Sequence, residues 1–252
     1  LYAVEIDGKL LIDTGTDLSG LTQYPSIAAT GCSVGTKQGF SILKYQGNGS
    51  AGANISHGLL EAPKLMIHKS LDQSRNWYTI TTAIDGSADY LYLNLTNTSN
   101  NSAVTAPTSD LMYFTSSAES NNNNENYIVY MWHDVPGLQK FGIYTGNAST
   151  DGPYVELGFR PALVIYKRTD NSSSAHWVIT DSERDPFNLA GKTLGANLSD
   201  VEATSNSIDI LSNGFRIRAS GTVHNADGGT YIYAAWAEAP SIDLYGGGAN
   251  AR

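Results

Sequence analysis

The stretch Phe40-Ser41-Ile42-Leu43-Lys44-Tyr45-Gln46-Gly47-Asn48-Gly49-Ser50 returns later in the chain as Phe141-Gly142-Ile143-Tyr144-Thr145-Gly146-Asn147-Ala148-Ser149. The Tyr-x-Gly-Asn-x-Ser string shared by the two is offset by 99 residues. In each copy a run of apolar and aromatic residues gives way to Gly and Asn, the pattern of a strand entering a turn.

Working outward, further anchors recur in the same order. Pro63 precedes Leu65-Met66-Ile67-His68-Lys69, as Pro161 precedes Ala162-Leu163-Val164-Ile165-Tyr166-Lys167. Asn76-Trp77-Tyr78-Thr79-Ile80 answers to His176-Trp177-Val178-Ile179-Thr180, and Tyr127–Pro136 answers to Tyr231–Pro240 with an offset of 104. Ordered anchors that drift by only a few residues mark a tandem duplication. We place repeat 1 at residues 39–137 and repeat 2 at 138–240. Residues 1–38 read as an N-terminal hairpin and linker, possessing the look of the end of a preceding domain, and 241–252 as a flexible tail.

The strands expected in repeat 2 are 140–145, 153–157, 162–168, 176–181, 208–211, 214–218 and 230–238, with Asn213-Gly214 as a hairpin signal. Antiparallel neighbours joined by short turns favour a sandwich over a βαβ fold. The fold class is therefore all-β: two tandem antiparallel β-sandwich modules, jelly-roll-like, preceded by a β-hairpin around Asp7-Gly8 and an extended arm over 14–38. A single helical turn is expected at Asp200-Val201-Glu202-Ala203.

Composition agrees with this class. Charged residues are 15% of the chain against a usual value of about 25%. Polarity comes instead from Asn, Ser, Thr and Gly, which favour turns over helices. A net charge of −9 with no basic run argues against nucleic acid, whose phosphates are bound by clustered Lys and Arg. Cys32 is the single cysteine, so no intrachain disulfide forms. No apolar run of membrane-spanning length is present. The chain opens on Leu1, which reads as a piece of a longer or processed polypeptide.

Candidate chemistry is sparse. The four tryptophans form two equivalent pairs, Trp77 with Trp177 and Trp132 with Trp236, and read first as core or sheet-face residues. Trp77 and Trp177 each follow a polar turn, which makes them the candidates for stacking on a sugar. Asn97, Asn101 and Asn123 stand in two Asn-rich stretches, 96–102 and 120–126, that read as exposed, ligand-accessible loops. Asp181, Glu183 and Asp185 belong to the densest group of ionisable residues, which reads first as a surface salt-bridge loop; they are also the candidates for Ca²⁺, although no EF-hand spacing accompanies them. The histidines lack zinc-site spacing, and no nucleophile elbow marks a catalytic serine. No catalytic residue and no cofactor is assigned. Sequons at Asn48, Asn94, Asn147 and Asn197 follow from an Asn- and Ser-rich composition.

Five strings carry a family resemblance: Phe141–Ser149, Gly158–Lys167, Trp177–Arg184, Asn213–Phe215 and Thr230–Glu238. Together they resemble a tandemly repeated β-rich module of large virion structural proteins of tailed bacteriophages, especially marine and cyanobacterial ones. Repeat 1 departs from the pattern at its Asp-Ser-x-Arg and Asn-Gly-Phe positions. The leading hairpin is similar to the end of a concanavalin-like or laminin-G-like sandwich. The resemblance implies a non-enzymatic tail fibre or appendage protein, located in the virion and extracellular when mature. Its implied partners are other virion proteins, two further copies in a homotrimer, and a host surface glycan or protein. A capsid decoration or cement protein, or a secreted carbohydrate-binding module, are the alternatives.

Overall fold

The period-two alternation of the sequence is realised directly in the backbone. The computed structural model describes residues 4–6, 9–11, 25–173 and 175–240. Among these, strand follows strand, interrupted by one four-residue helix. Strands β1 (Val4–Ile6) and β2 (Lys9–Leu11) pair antiparallel, with Ile6 opposite Lys9. The Asp7-Gly8 turn, residues 12–24 of the arm and the 241–252 tail lie outside the described residues.

The first module comprises β3 (Ala29–Gly35), β4 (Phe40–Gln46), β5 (Asn54–Ser56), β6 (Leu65–Ser70), β7 (Tyr78–Thr81), β8 (Asp89–Tyr92), β9 (Asn100–Asn101), β10 (Leu111–Tyr113) and β11 (Asn126–Trp132). Its main sheet runs β3-β4-β11-β6-β7-β8-β9, while β5 and β10 pair separately. Along β11, Tyr127, Val129 and Met131 are buried and alternate with part-exposed Ile128, Tyr130 and Trp132. The buried set meets Ile55, Leu59, Met112 and Phe114 from the β5–β10 layer and its flanks, forming a sandwich core. Each large aliphatic side chain so buried stabilises the fold by about 1.5–3 kcal/mol.

The second module comprises β12 (Gln139–Thr145), β13 (Tyr154–Glu156), β14 (Pro161–Arg168), β15 (Val178–Asp181), β16 (Ala190–Gly195), β17 (Ala203–Leu211), β18 (Gly214–Ile217), α1 (Thr222–Asn225) and β19 (Thr230–Ala237). One continuous sheet, ordered β12-β19-β14-β15-β16-β17-β18-β13, curls back on itself. Ile208, Ile210, Phe215 and Ile217 of the β17–β18 arm thereby pack on Tyr144, Val164, Tyr166 and Tyr233. The β17–β18 hairpin turns at Ser212-Asn213, with Leu211 opposite Gly214.

Three expectations are corrected. Residues 29–35 are not linker or extended arm: Ala29–Gly35 is an edge strand on β4, held by the ladder although its side chains are largely exposed. Asp200–Glu202 has no regular secondary structure and Ala203 opens β17, and the helix lies instead at Thr222–Asn225. β16 was not foreseen, because Ala190-Gly191-Lys192-Thr193-Leu194-Gly195 carries neither apolar alternation nor aromatic residues.

The two modules share a polar lock at the end of β4 and of β12. Asn121 Oδ1 accepts the Asn48 N–H at 2.9 Å, and Asn225 Oδ1 accepts the Asn147 N–H at 2.8 Å. Each amide also reaches back, Asn121 Nδ2 to Ser50 O and Asn225 Nδ2 to Ser149 O. Beside the locks, Tyr45 stacks on Tyr127 and Tyr144 on Tyr231. The two outer tyrosine hydroxyls donate to Ala118 O and Thr222 O and accept the N–H of Asn122 and Ala226. A Cβ on Gly47 would fall 2.3 Å from Asn122 O, and one on Gly146 would fall 2.1 Å from Ala226 O, so both positions require glycine.

The sandwiches are joined through their outer faces. Leu65, Ile67 and Trp132 of the first pack with Phe141, Ala234 and Trp236 of the second. Leu91 and Leu93 pack with Ile165, Trp177 and Ile232. At the junction, Gln139 Nε2 reaches the carbonyls of Gln38, Gly39 and His133, and Asp134 Oδ1 accepts the Phe141 N–H.

Candidate functional site

Trp77 and Trp177 immediately precede β7 and β15 and are built alike. The N–H of Trp77 donates to Asn94 Oδ1 and that of Trp177 to Asn197 Oδ1, both at 2.9 Å. Their carbonyls accept Leu93 N–H and Ala196 N–H. Their surroundings then diverge. Trp77 is 36% exposed, with the Lys69 ammonium 5.9 Å from its ring centroid. Trp177 is 4% exposed, covered by Leu91 and Leu93, and its Nε1 donates to Tyr92 O at 2.8 Å. This corrects the assignment of Trp177 as a sugar platform: no face of its ring is free to stack.

Lys167 completes the covered site. It is fully buried, with Nζ donating to Ala175 O at 2.6 Å and across the module boundary to Thr96 O at 3.0 Å. Burial pulls its pKa down to about 8. The neighbouring Thr169 O accepts the Ser99 N–H at 2.8 Å. The segment from Leu91 to Ser99, which contains Asn97, therefore seats itself on the second module.

The Asn-rich stretches are accordingly not free loops, although their asparagines at 97, 101 and 123 remain exposed. Asn101 Oδ1 accepts the Ala103 N–H. Asn121 and Glu125, within the second stretch, are buried. Glu125 takes both oxygens to Arg75, at 2.9 and 2.8 Å, and also accepts from Ser70 and Asn122. The Arg75 hydrogen bonds hold its carboxyl at about 2 despite burial. Asn123 borders a polar depression of about 370 Å³ beside this pair. Its one arginine is already committed to Glu125, so the depression offers no spare cation to an anionic ligand.

The carboxylate group of the second module does not converge. Asp181 accepts from Arg184 Nε at 2.6 Å and from the Arg184 N–H at 2.8 Å. Asp185 accepts the Gly191 N–H, and Glu183 is exposed to solvent. Arg184 also reaches Glu202 at 3.3 Å. Among the described residues no three His, Cys, Asp or Glu side chains are placed to hold a metal ion. The Ca²⁺ assignment to Asp181, Glu183 and Asp185 is corrected on this ground: the charges are spent on an arginine and on the backbone of their own loop.

The sequon asparagines at 48, 94, 147 and 197 have structural roles of the same kind. Asn48 and Asn147 cap their own turns, with Oδ1 accepting the N–H of Ser50 and Ser149. Asn94 and Asn197 hold the two tryptophan backbones. No helix among the described residues is long and apolar enough to cross a membrane.

Residues that the sequence did not single out emerge as exposed apolar side chains: Leu71, Leu194, Leu198 and Val201, which are 49%, 38%, 39% and 87% exposed. Their place in the repeat is set by backbone pairing, and their exposure depends on what packs over them.

No curated protein and no solved structure matches this chain. One family model does match, over residues 22–240, a span that includes both sandwiches. The chain belongs to the family described as Domain of unknown function (DUF7483).

Proposed function

We propose that this chain is a non-enzymatic structural component of a virion, a rigid two-sandwich element of a phage fibre or tail appendage with a capacity for host-surface adhesion. The observation that carries the reading is the junction between modules. Two apolar clusters, one around Trp132 and Trp236 and one around Trp177, together with the buried Lys167 and the Gln139 clamp, turn two sandwiches into one unit, which suits a load-bearing spacer. Linked domains otherwise move relative to one another unless their interface is large and apolar. The resemblance of the repeat strings to tailed-phage virion modules supplies the setting.

In this reading the polar groups serve the scaffold, and contact with a host glycan or protein falls to exposed loop residues such as Asn97, Asn101 and Asn123. The test is to locate the chain in purified particles with an antibody against residues 22–240. Label on the tail or its fibres supports the proposal. Stoichiometric label over the capsid shell moves the role to decoration, and absence from particles overturns it. Adhesion is tested separately by binding of the full chain to host cells and their surface polysaccharide.

A further inference from the structure

The junction inside the chain consists of a plug and a socket, and repetition has produced each of them twice. The plug of module 1 is the segment from Leu91 to Ser99. The socket of module 2 is Lys167, Thr169 and Trp177, which receives it through Lys167 to Thr96 O, Trp177 Nε1 to Tyr92 O and Ser99 N–H to Thr169 O.

Hydrogen bonds fix the equivalent positions in the other copies. Leu93 N–H to Trp77 O matches Ala196 N–H to Trp177 O, and Leu95 N–H to Tyr92 O matches Leu198 N–H to Gly195 O. Thr79 opposite Leu91 matches Ile179 opposite Leu194. The second plug therefore begins at Leu194 and runs past Leu198. In the same manner, Leu71 N–H to Asn126 O matches Thr169 N–H to Thr230 O, and Lys69 to Arg75 O matches Lys167 to Ala175 O. The second socket is therefore Lys69, Leu71 and Trp77.

Both second parts stand open. Leu71 and Trp77 in the socket, and Leu194, Leu198 and Val201 in the plug, account for five of the eleven large apolar side chains exposed among the described residues. Clustered exposed apolar residues mark interaction surfaces, whereas scattered ones do not. Trp77 Nε1 has no hydrogen-bond partner among the described residues, while its counterpart donates to a carbonyl. The open plug also carries Asp200 next to the position equivalent to Thr96, opposite in charge to Lys69 of the open socket.

We infer that the open socket of one chain, at Lys69, Leu71 and Trp77, binds the open plug of a second copy, at Leu194–Val201. The occupant is specified by the filled site within the chain: an extended segment with leucine near the indole and a backbone carbonyl at the lysine. The contact joins different patches of the two copies, so it is heterologous and builds a closed ring or a linear array according to the rotation between subunits.

The test uses the full chain in sedimentation equilibrium, with three variants. Trp77→Asp disables the socket, while Leu198→Asp and Leu194→Asp disable the plug. All three positions are partly exposed, and circular dichroism with thermal unfolding checks that the fold persists. The unaltered chain is expected to gain mass with concentration, and each variant alone to associate at least about tenfold more weakly, a change of one decade in Kd. A mixture of Trp77→Asp with Leu198→Asp keeps one good plug and one good socket, so it forms a complex that stops at two chains. A chain that stays monomeric up to about 1 mM, the weak limit of useful affinity, overturns the inference. So does association that the variants leave unchanged, or a mixture that yields no dimer.

Discussion

Trp132 and Trp236 hold the same position in the two modules and meet each other edge to face, with ring centroids 6.3 Å apart and planes at 74°. A duplicated residue thus became its own partner across the junction. Phe40 stacks on Trp132 from one side at 4.8 Å, and Phe141 contacts Trp236 at 5.7 Å. Truncating either tryptophan to alanine is expected to destabilise the chain by about 2–4 kcal/mol, somewhat less than a fully buried aromatic deletion because both residues are only partly buried. The double variant should cost less than the sum of the two, by about 0.5–1.5 kcal/mol, because the pair is lost once. Urea unfolding of the four proteins in the cycle checks this, and strict additivity would show that the ring contact contributes nothing of its own.

The duplicated asparagine lock predicts equal damage in both modules. Asn121→Ala and Asn225→Ala each remove the acceptor for a backbone N–H and a side-chain amide that bonds to carbonyls of the same turn. A buried polar group left unsatisfied costs about 1–3 kcal/mol, and each substitution is expected to fall in that range. Exchange of the Asn48 and Asn147 amide protons, followed by NMR, should accelerate in the matching variant only.

Ala148 has φ +51°, at the position where the first repeat has Gly49 with φ +70°. A Cβ is disfavoured in this left-handed region by roughly 1–2 kcal/mol. Ala148→Gly is expected to raise the melting temperature, partly offset by the greater freedom of glycine in the unfolded chain. A lowered melting temperature would mean that the Ala148 side chain contributes packing that outweighs the strain.

Two histidines, His68 buried and His224 partly buried, predict a weakness toward acid. Burial lowers His68 to about 3 and His224 to about 4, from an ordinary value of 6.5. His68 Nδ1 meets the Tyr45 hydroxyl at 3.2 Å, and His224 Nδ1 meets the Tyr166 hydroxyl at 2.6 Å. Both rings are neutral in the fold and take up a proton on unfolding, so the unfolded state binds more protons between the two pKa values. Stability is complete above about pH 6.5 and declines as the pH falls toward 3 to 4. Glu125, depressed to about 2, adds its own loss below its ordinary 4.5. In His68→Phe the acid midpoint should move to lower pH. An unmoved midpoint would assign acid unfolding to the carboxylates alone.

The two Tyr–His pairs also show how the repeats diverged. In the first module the histidine is on β6 and the tyrosine on β4. In the second the tyrosine is on β14, in the place of His68, and the histidine is in α1. A tyrosine–histidine contact was kept while its residues changed elements. Sequence alignment alone pairs His68 with Tyr166 and leaves the shared interaction unseen.

The duplication, the all-β class and the strands bearing alternating apolar residues were determined by the sequence itself, because strand periodicity and turn chemistry are local. The seven strands expected in the second repeat correspond to observed ones. β16 escaped because its register is set by β15 and β17 and not by its own residues. Only the tertiary structure decided which member of each equivalent pair is covered. Trp77 and Trp177 have like neighbours in sequence, yet Trp177 lies under Leu91 and Leu93 while Trp77 meets solvent. The Asn-rich stretches keep exposed asparagines at 97, 101 and 123, but that Asn121 and Glu125 are buried and that the Leu91–Ser99 segment seats on the second module is set by segments remote in the chain.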